Sequence, residues 1–180
     1  MFVQTQNTPN PNSLKFLPGK KVCNTEPFEI RDKNYTDNEL VRNILSINGV
    51  EGIFLAEEFL SVNKQENINW EDIKHIIISF INDYYSSGKE IVIDKNKKTS
   101  ETKELLDIEK KIINLLETKV RPAVARDGGD IKFENYKDGV VQVKLQGSCS
   151  GCPSSKMTLK QGVQNILCHY IPEIKEVVAN

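Results

Sequence analysis

The sequence predicts an α+β protein made of two small α/β-layer domains joined by a polar linker. Three observations carry that reading. Residues 94–103, Asp94-Lys95-Asn96-Lys97-Lys98-Thr99-Ser100-Glu101-Thr102-Lys103, contain no apolar side chain and can bury nothing. On both sides of them, apolar residues alternate in short runs or recur every three to four positions, the strand and helix periods. The chain has 180 residues, enough for two small cores. The domains are therefore expected at 1–93 and 104–180, tumbling independently about the linker at 94–103.

In the first half, Gln4 to Ser13 is polar and broken by Pro9 and Pro11, so a short strand should run into a turn-rich loop. Leu14 to Leu17 reads as a strand stopped by Pro18-Gly19, and Val22 to Ile30 as an extended piece interrupted by Pro27. Thr36-Asp37-Asn38-Glu39 matches a capping box ahead of Leu40, Val41, Ile44 and Leu45, with Asn48-Gly49 ending that helix. Val50 to Leu55 and Phe59 to Val62 form a hairpin around Glu57. Asn69 caps a second helix carrying Trp70, Ile73, Ile77, Phe80 and Tyr84 on one face, stopped by Gly88. Ile91-Val92-Ile93 is expected as a last short strand. Phe54 and Phe59 flank the hairpin turn; a core role is favoured over an exposed contact surface.

The second half opens with a helical stripe of Leu105, Ile108, Ile112, Leu116 and Val120, and Pro122 should kink that helix. Asp127-Gly128-Gly129-Asp130 reads as a glycine turn setting strand register; two carboxylates are too few for a calcium loop. Ile131, Phe133, Val141, Val143 and Leu145 alternate with polar residues around a Lys137-Asp138-Gly139 turn. A helix bearing Leu159, Val163, Ile166, Leu167 and Tyr170 follows, stopped by Pro172, with an edge strand from Ile174 to Val178.

A formal net charge of −1 gives no field pointing to nucleic acid or a membrane surface. No apolar run approaches a membrane span, and the first residues lack the features of a signal or transit peptide. A reducing cytosol is the expected compartment. The four cysteines are Cys23, Cys149, Cys152 and Cys168, and in a chain of this size a disulfide framework is the weaker reading. Cys23 and Cys168 have no companion ligand and read as small apolar residues. His75 and His169 read as structural or solvent-facing.

Cys149 and Cys152 stand three positions apart in Gly147-Ser148-Cys149-Ser150-Gly151-Cys152-Pro153-Ser154-Ser155. Pro153 suits the first position of a helix, so Cys152 should lie at its positive end, where a thiolate is favoured. The small residues let backbone amides approach a sulfur or anion. Metal or cluster binding ranks first, thiol–disulfide exchange second, and an unliganded surface pair third. A thioredoxin-like motif would want an aromatic beside the first cysteine, where Ser148 stands, and structural zinc would want a second pair. A [4Fe–4S] cluster is commonly held by four thiolates. One chain offers two, so the simplest complete site is a symmetric dimer with the cluster on its two-fold axis.

The residues carry a resemblance as well. From about Leu105 to Val178, Arg121-Pro122-Ala123, Asp127-Gly128-Gly129-Asp130-Ile131 and Gly147 to Ser155 resemble the NifU-like C-terminal domain. Gln4-Thr5-Gln6-Asn7-Thr8-Pro9-Asn10-Pro11-Asn12-Ser13-Leu14-Lys15-Phe16 resembles the N-terminal domain of the Nfu proteins. The resemblance implies a non-enzymatic iron–sulfur cluster scaffold or carrier. Cys149 and Cys152 would ligate a [4Fe–4S] cluster bridging a homodimer, received from upstream cluster-assembly proteins and delivered to apo iron–sulfur clients. The N-terminal domain would bind no cofactor and serve partner contact. The architecture is that of mitochondrial Nfu scaffolds and alphaproteobacterial relatives, implying a bacterial cytoplasmic protein or a processed form in the mitochondrial matrix. A thiol–disulfide oxidoreductase on the same cysteine pair, and a zinc-stabilised interaction module, are the rival readings.

Overall fold

The computed structural model describes residues 2–89, 106–151 and 153–180, the side chains of 153–155 excepted. The expected strand at Ile91-Val92-Ile93, the linker and Cys152 lie outside the described residues.

The first domain is one antiparallel sheet backed by two helices. Strands β1 (Gln4–Asn7), β2 (Ser13–Leu17), β3 (Phe28–Ile30), β4 (Val50–Leu55) and β5 (Leu60–Lys64) line up in the order β1-β2-β5-β4-β3. Helices α1 (Glu39–Leu45) and α2 (Trp70–Ser86) complete the unit. Strand alternation puts Leu14, Phe16, Ile53, Leu55, Leu60 and Val62 on one face, packed with Leu40, Val41 and Ile44 of α1 and Ile73, Ile77 and Ile81 of α2. Burying such side chains supplies roughly 1.5–3 kcal/mol each.

Two local readings are corrected. The cap of α1 is Asn38, whose side chain accepts from the Val41 N–H at 3.2 Å. Thr36 instead takes the Asn38 N–H on its hydroxyl at 3.1 Å, so Thr36 closes a turn before the helix and no Thr36–Glu39 box forms. The strand expected from Val22 shrinks to β3, because Pro27 withholds a ladder donor and the Val22 and Cys23 amides turn instead to the Glu57 carbonyl. Trp70 packs at the rim of the core and donates its indole N–H to the Pro11 carbonyl at 3.0 Å, pinning the opening loop to α2.

The second domain has three strands, β6 (Gly129–Lys137), β7 (Val140–Gly147) and β8 (Glu176–Ala179), with β7 central, antiparallel to β6 and parallel to β8. Helix α5 (Pro153–Tyr170) makes the crossover that a parallel pair requires. Val163 and Leu167 of α5 meet Ile131, Val141, Val143, Leu145 and Val177 of the sheet. Before the sheet, α3 (Asp107–Leu115) runs through a π turn (Leu116–Val120) into α4 (Arg121–Arg126). Pro122 lacks the N–H for a regular bond, and a widened turn absorbs the mismatch. The stripe Ile112, Leu116, Val120 and Val124 stays buried across it.

The two domains are docked. Independent tumbling was the expectation from the linker, but the outer face of the first sheet lies against the start of β6, the end of β7 and the loop after it.

Candidate functional site

The site is built on backbone. Strand β6 begins at Gly129, which pairs with Gly147 at the end of β7. Gly147 turns the chain at φ +67°, and the Ser150 N–H returns to the Gly147 carbonyl at 3.2 Å. Ser148 donates its hydroxyl to the Asp127 carbonyl and its N–H to the Gly128 carbonyl at 3.2 Å. These bonds hold the loop from Gly147 to Gly151 against the Asp127–Gly129 corner, which is why both segments carry glycine. A Cβ at Gly129 would lie 2.6 Å from Cys149 Sγ and 2.7 Å from the Gln146 carbonyl. Glycine there is a seat for the sulfur.

Cys149 is buried, 7% exposed, where the sequence suggested an open loop. Its Sγ lies 3.8 Å from Ser148 Oγ. Burial pushes the thiol up to about 11, with Ser148 opposing and the carboxylates of Asp127 and Asp130 adding to the rise. A folded pKa above the ordinary thiol value of 9.0 means the native state keeps a proton that the unfolded chain gives up. Stability from this group is full below about pH 9 and is lost as pH rises toward about 11. Comparing thermal midpoints of wild type and Cys149→Ser across that window should show the wild type falling more steeply; parallel curves would contradict the burial effect.

Beside the sulfur lies a cavity of about 470 Å³, walled by Val124, Leu159 and Val163 and closed on one side by Pro9 and Asn10 of the first domain. Among the described residues, no group of three or more His, Cys, Asp or Glu side chains is placed to hold a metal ion. Cys23 is buried with its sulfur turned to Thr25, and Cys168 directs its thiol to the Ile174 carbonyl at 3.2 Å. Neither joins Cys149. His75 is bonded to its own helix at the Glu71 carbonyl, and His169 stacks edge-on against Tyr170.

Two features were not assigned from sequence. Asp130, 4% exposed, receives both arms of Arg121, Nε at 2.9 Å and Nη2 at 3.0 Å, and so ties α4 to β6 next to the loop. Both residues sat in the quoted motifs without a role; a charge pair nine apart, spanning a helix and a strand, has no local periodicity to reveal it. The second is the first domain's contribution. Asn10 donates to the Ser148 carbonyl and Asn63 to the Gly147 carbonyl, each at 3.0 Å and buried. Asn10 sits in a polar turn and Asn63 on the polar side of an alternating strand, both of which read as solvent-facing, so nothing in the pattern marks them as covered.

Comparison with known proteins agrees with these two halves. Residues 3–88 match the family model described as scaffold protein Nfu/NifU N terminal, and residues 112–178 match the NifU-like domain. The human protein named NFU1 iron-sulfur cluster scaffold homolog, mitochondrial, is 42% identical over 98% of this chain and 71% of its own length. The protein of the same name from Drosophila erecta is 43% identical over 98% of this chain and 64% of its own. NifU-like protein 4, mitochondrial, of Arabidopsis thaliana is 40% identical over 98% of this chain and 65% of its own. This chain thus spans roughly two thirds of the length of these relatives. With an Nfu-type N-terminal domain followed by a NifU-like domain, the chain belongs to the Nfu family.

Proposed function

We propose that this protein is an iron–sulfur cluster scaffold and carrier, in which Cys149 and Cys152 from each of two chains hold one [4Fe–4S] cluster for transfer to apo-proteins. The observation that carries the reading is the Gly147–Gly151 loop. It lies within the matched NifU-like region, is fixed by backbone bonds, and seats one sulfur of the C-x-x-C pair on a glycine. Relatives named as iron–sulfur cluster scaffolds support the cargo. Thiolate donors suit iron, and iron binding itself displaces the proton of a thiol that burial otherwise keeps neutral. Two cysteines per loop leave a cubane cluster short of ligands, so a second chain completes the set. Release then proceeds by exchange of each thiolate for a cysteine of the client. The partners on this reading are upstream cluster-assembly proteins, apo iron–sulfur clients and a second copy of the chain. The protein acts as a carrier and not as an enzyme.

Among the described residues no helix is long and apolar enough to cross a membrane. Relatives named as mitochondrial support the matrix, and a bacterial cytoplasm would offer the same reducing surroundings. We retain 1–93, 94–103 and 104–180 as the proposed domains and linker. A thiol pushed upward by burial is a poor attacking nucleophile at neutral pH, which weighs against the oxidoreductase alternative.

The test is anaerobic reconstitution with iron and sulfide of wild type, Cys149→Ala and Cys152→Ala, with size-exclusion chromatography of each product. Cluster absorbance should coincide with a dimer in the wild type and be absent from both variants. A wild type that binds no cluster yet reduces disulfides would transfer the site to redox chemistry. A cluster retained by either variant would remove the assigned ligands.

A further inference from the structure

The outer face of the first sheet carries one continuous cross-strand row. Lys15 of β2 pairs with Ser61 of β5, Ser61 with Phe54 of β4, and Phe54 with Glu29 of β3. In an isolated domain this row would face water, since the opposite face holds the core. Here each member is buried or half-buried against the second domain. Lys15 Nζ donates to the Ala125 and Arg126 carbonyls at 3.2 and 3.3 Å, closing the end of α4 with a cation. Ser61 Oγ and Phe54 stand where a Cβ on Gly128 or on Gly147 would strike them, at 2.8 and 2.9 Å. Glu29 accepts from the Ser150 hydroxyl at 3.5 Å, and Arg31 donates to Ser150 Oγ at 3.2 Å. Together with Asn10 and Asn63 on the loop carbonyls, these contacts converge on the segment that carries Cys149.

We propose that this sheet face is a docking site for the cysteine loop of the same chain, a cap that pins the loop carrying Cys149 in the metal-free monomer and lifts before two loops can meet. The contact is complementary but incompletely satisfied. Ser13 Oγ, Ser61 Oγ and Asn63 Oδ1 on the face are buried without a hydrogen-bond partner among the described residues. Water would satisfy all three when the domains part. The interface is mostly polar, joined by single hydrogen bonds, and its apolar part is the small cluster of Phe54, Ala56 and Phe59. Such an interface opens and closes without unfolding either core. The need for opening rests on the two-loop cluster reading above; the docking itself does not.

Docking is tested on metal-free full-length chain, so its outcome is independent of whether a cluster forms. Cys149 is alkylated with iodoacetamide and its rate resolved from that of the other cysteines by peptide mass spectrometry. The comparison is Ser61→Arg, which wedges a long charged side chain against Gly128 yet sits on the solvent side of an isolated first domain. If the cap is closed in most molecules, Cys149 should react at least roughly tenfold faster in Ser61→Arg, the factor set by the fraction open. In the wild type, a zero-length carbodiimide cross-link should join Glu26 to Lys132, whose charged atoms lie 3.8 Å apart, within monomeric protein. Should Ser61→Arg fail to fold by circular dichroism, that cross-link decides alone. Equal alkylation rates in folded protein, or no intrachain Glu26–Lys132 product, would overturn the docking.

Discussion

Gly147→Ala is expected to cost the protein about 3 kcal/mol or more, and to displace the cysteine loop from its seat. Two independent penalties meet at this position. Its φ of +67° lies in the left-handed region, where an alanine costs roughly 1–2 kcal/mol. The added methyl would also stand 2.6 Å from the Gly128 carbonyl and 2.9 Å from the Phe54 ring; the first of these is backbone and cannot swing away. Gly19→Ala is the matched control, since Gly19 has φ +71° with nothing within 4 Å of the new methyl. Urea midpoints followed by circular dichroism should fall several times further for Gly147→Ala than for Gly19→Ala. Equal losses would mean that the loop tolerates a side chain at its corner, and that its packing against Gly128 is not what holds Cys149.

Arg121→Ala should cost about 3 kcal/mol, the lower end of the range for breaking a buried pair. Its removal leaves the Asp130 carboxylate at 4% exposure without either arm of its partner. The Arg121 side chain is 28% exposed, so water entering the gap recovers part of the loss. Arg121→Lys should rescue only partly, because an ammonium cannot reproduce the two parallel N–H bonds. A double-mutant cycle with Asp130→Asn isolates the pair. A coupling near zero would assign the loss to packing of the Arg121 stem instead.

Much of this architecture was legible in the chain because its signals are local. The stripe of α2, that of α5 as far as Leu167 (Tyr170 is 54% exposed), the Lys137-Asp138-Gly139 turn, with φ of +52° and +87° at Asp138 and Gly139, and the β6–β7 pair all follow from periodicity and turn chemistry. Where local rules competed, the sequence misled. Asn38 caps α1 and Thr36 closes the turn before it by taking the Asn38 N–H, and Pro122 produced a widened turn rather than a simple kink. The cysteine pair was visible as a loop, and its glycines as close approaches. That Cys149 is buried was not, because its sulfur packs into the second-domain core while its loop is pinned by Asn10 and by the outer face of a sheet more than eighty residues away in sequence, at Asn63. Alternation says which face of a strand is apolar; it is silent on whether another domain covers the polar one.

The measurement that bears most directly on the account is Mössbauer spectroscopy of reconstituted, size-selected wild-type protein, with iron and acid-labile sulfide counted per chain. The account predicts a [4Fe–4S] signature with close to one cluster for every two chains, in the fraction that elutes as dimer. A full cluster on each monomer, or iron without the cubane signature in that fraction, would contradict a site shared between two cysteine loops.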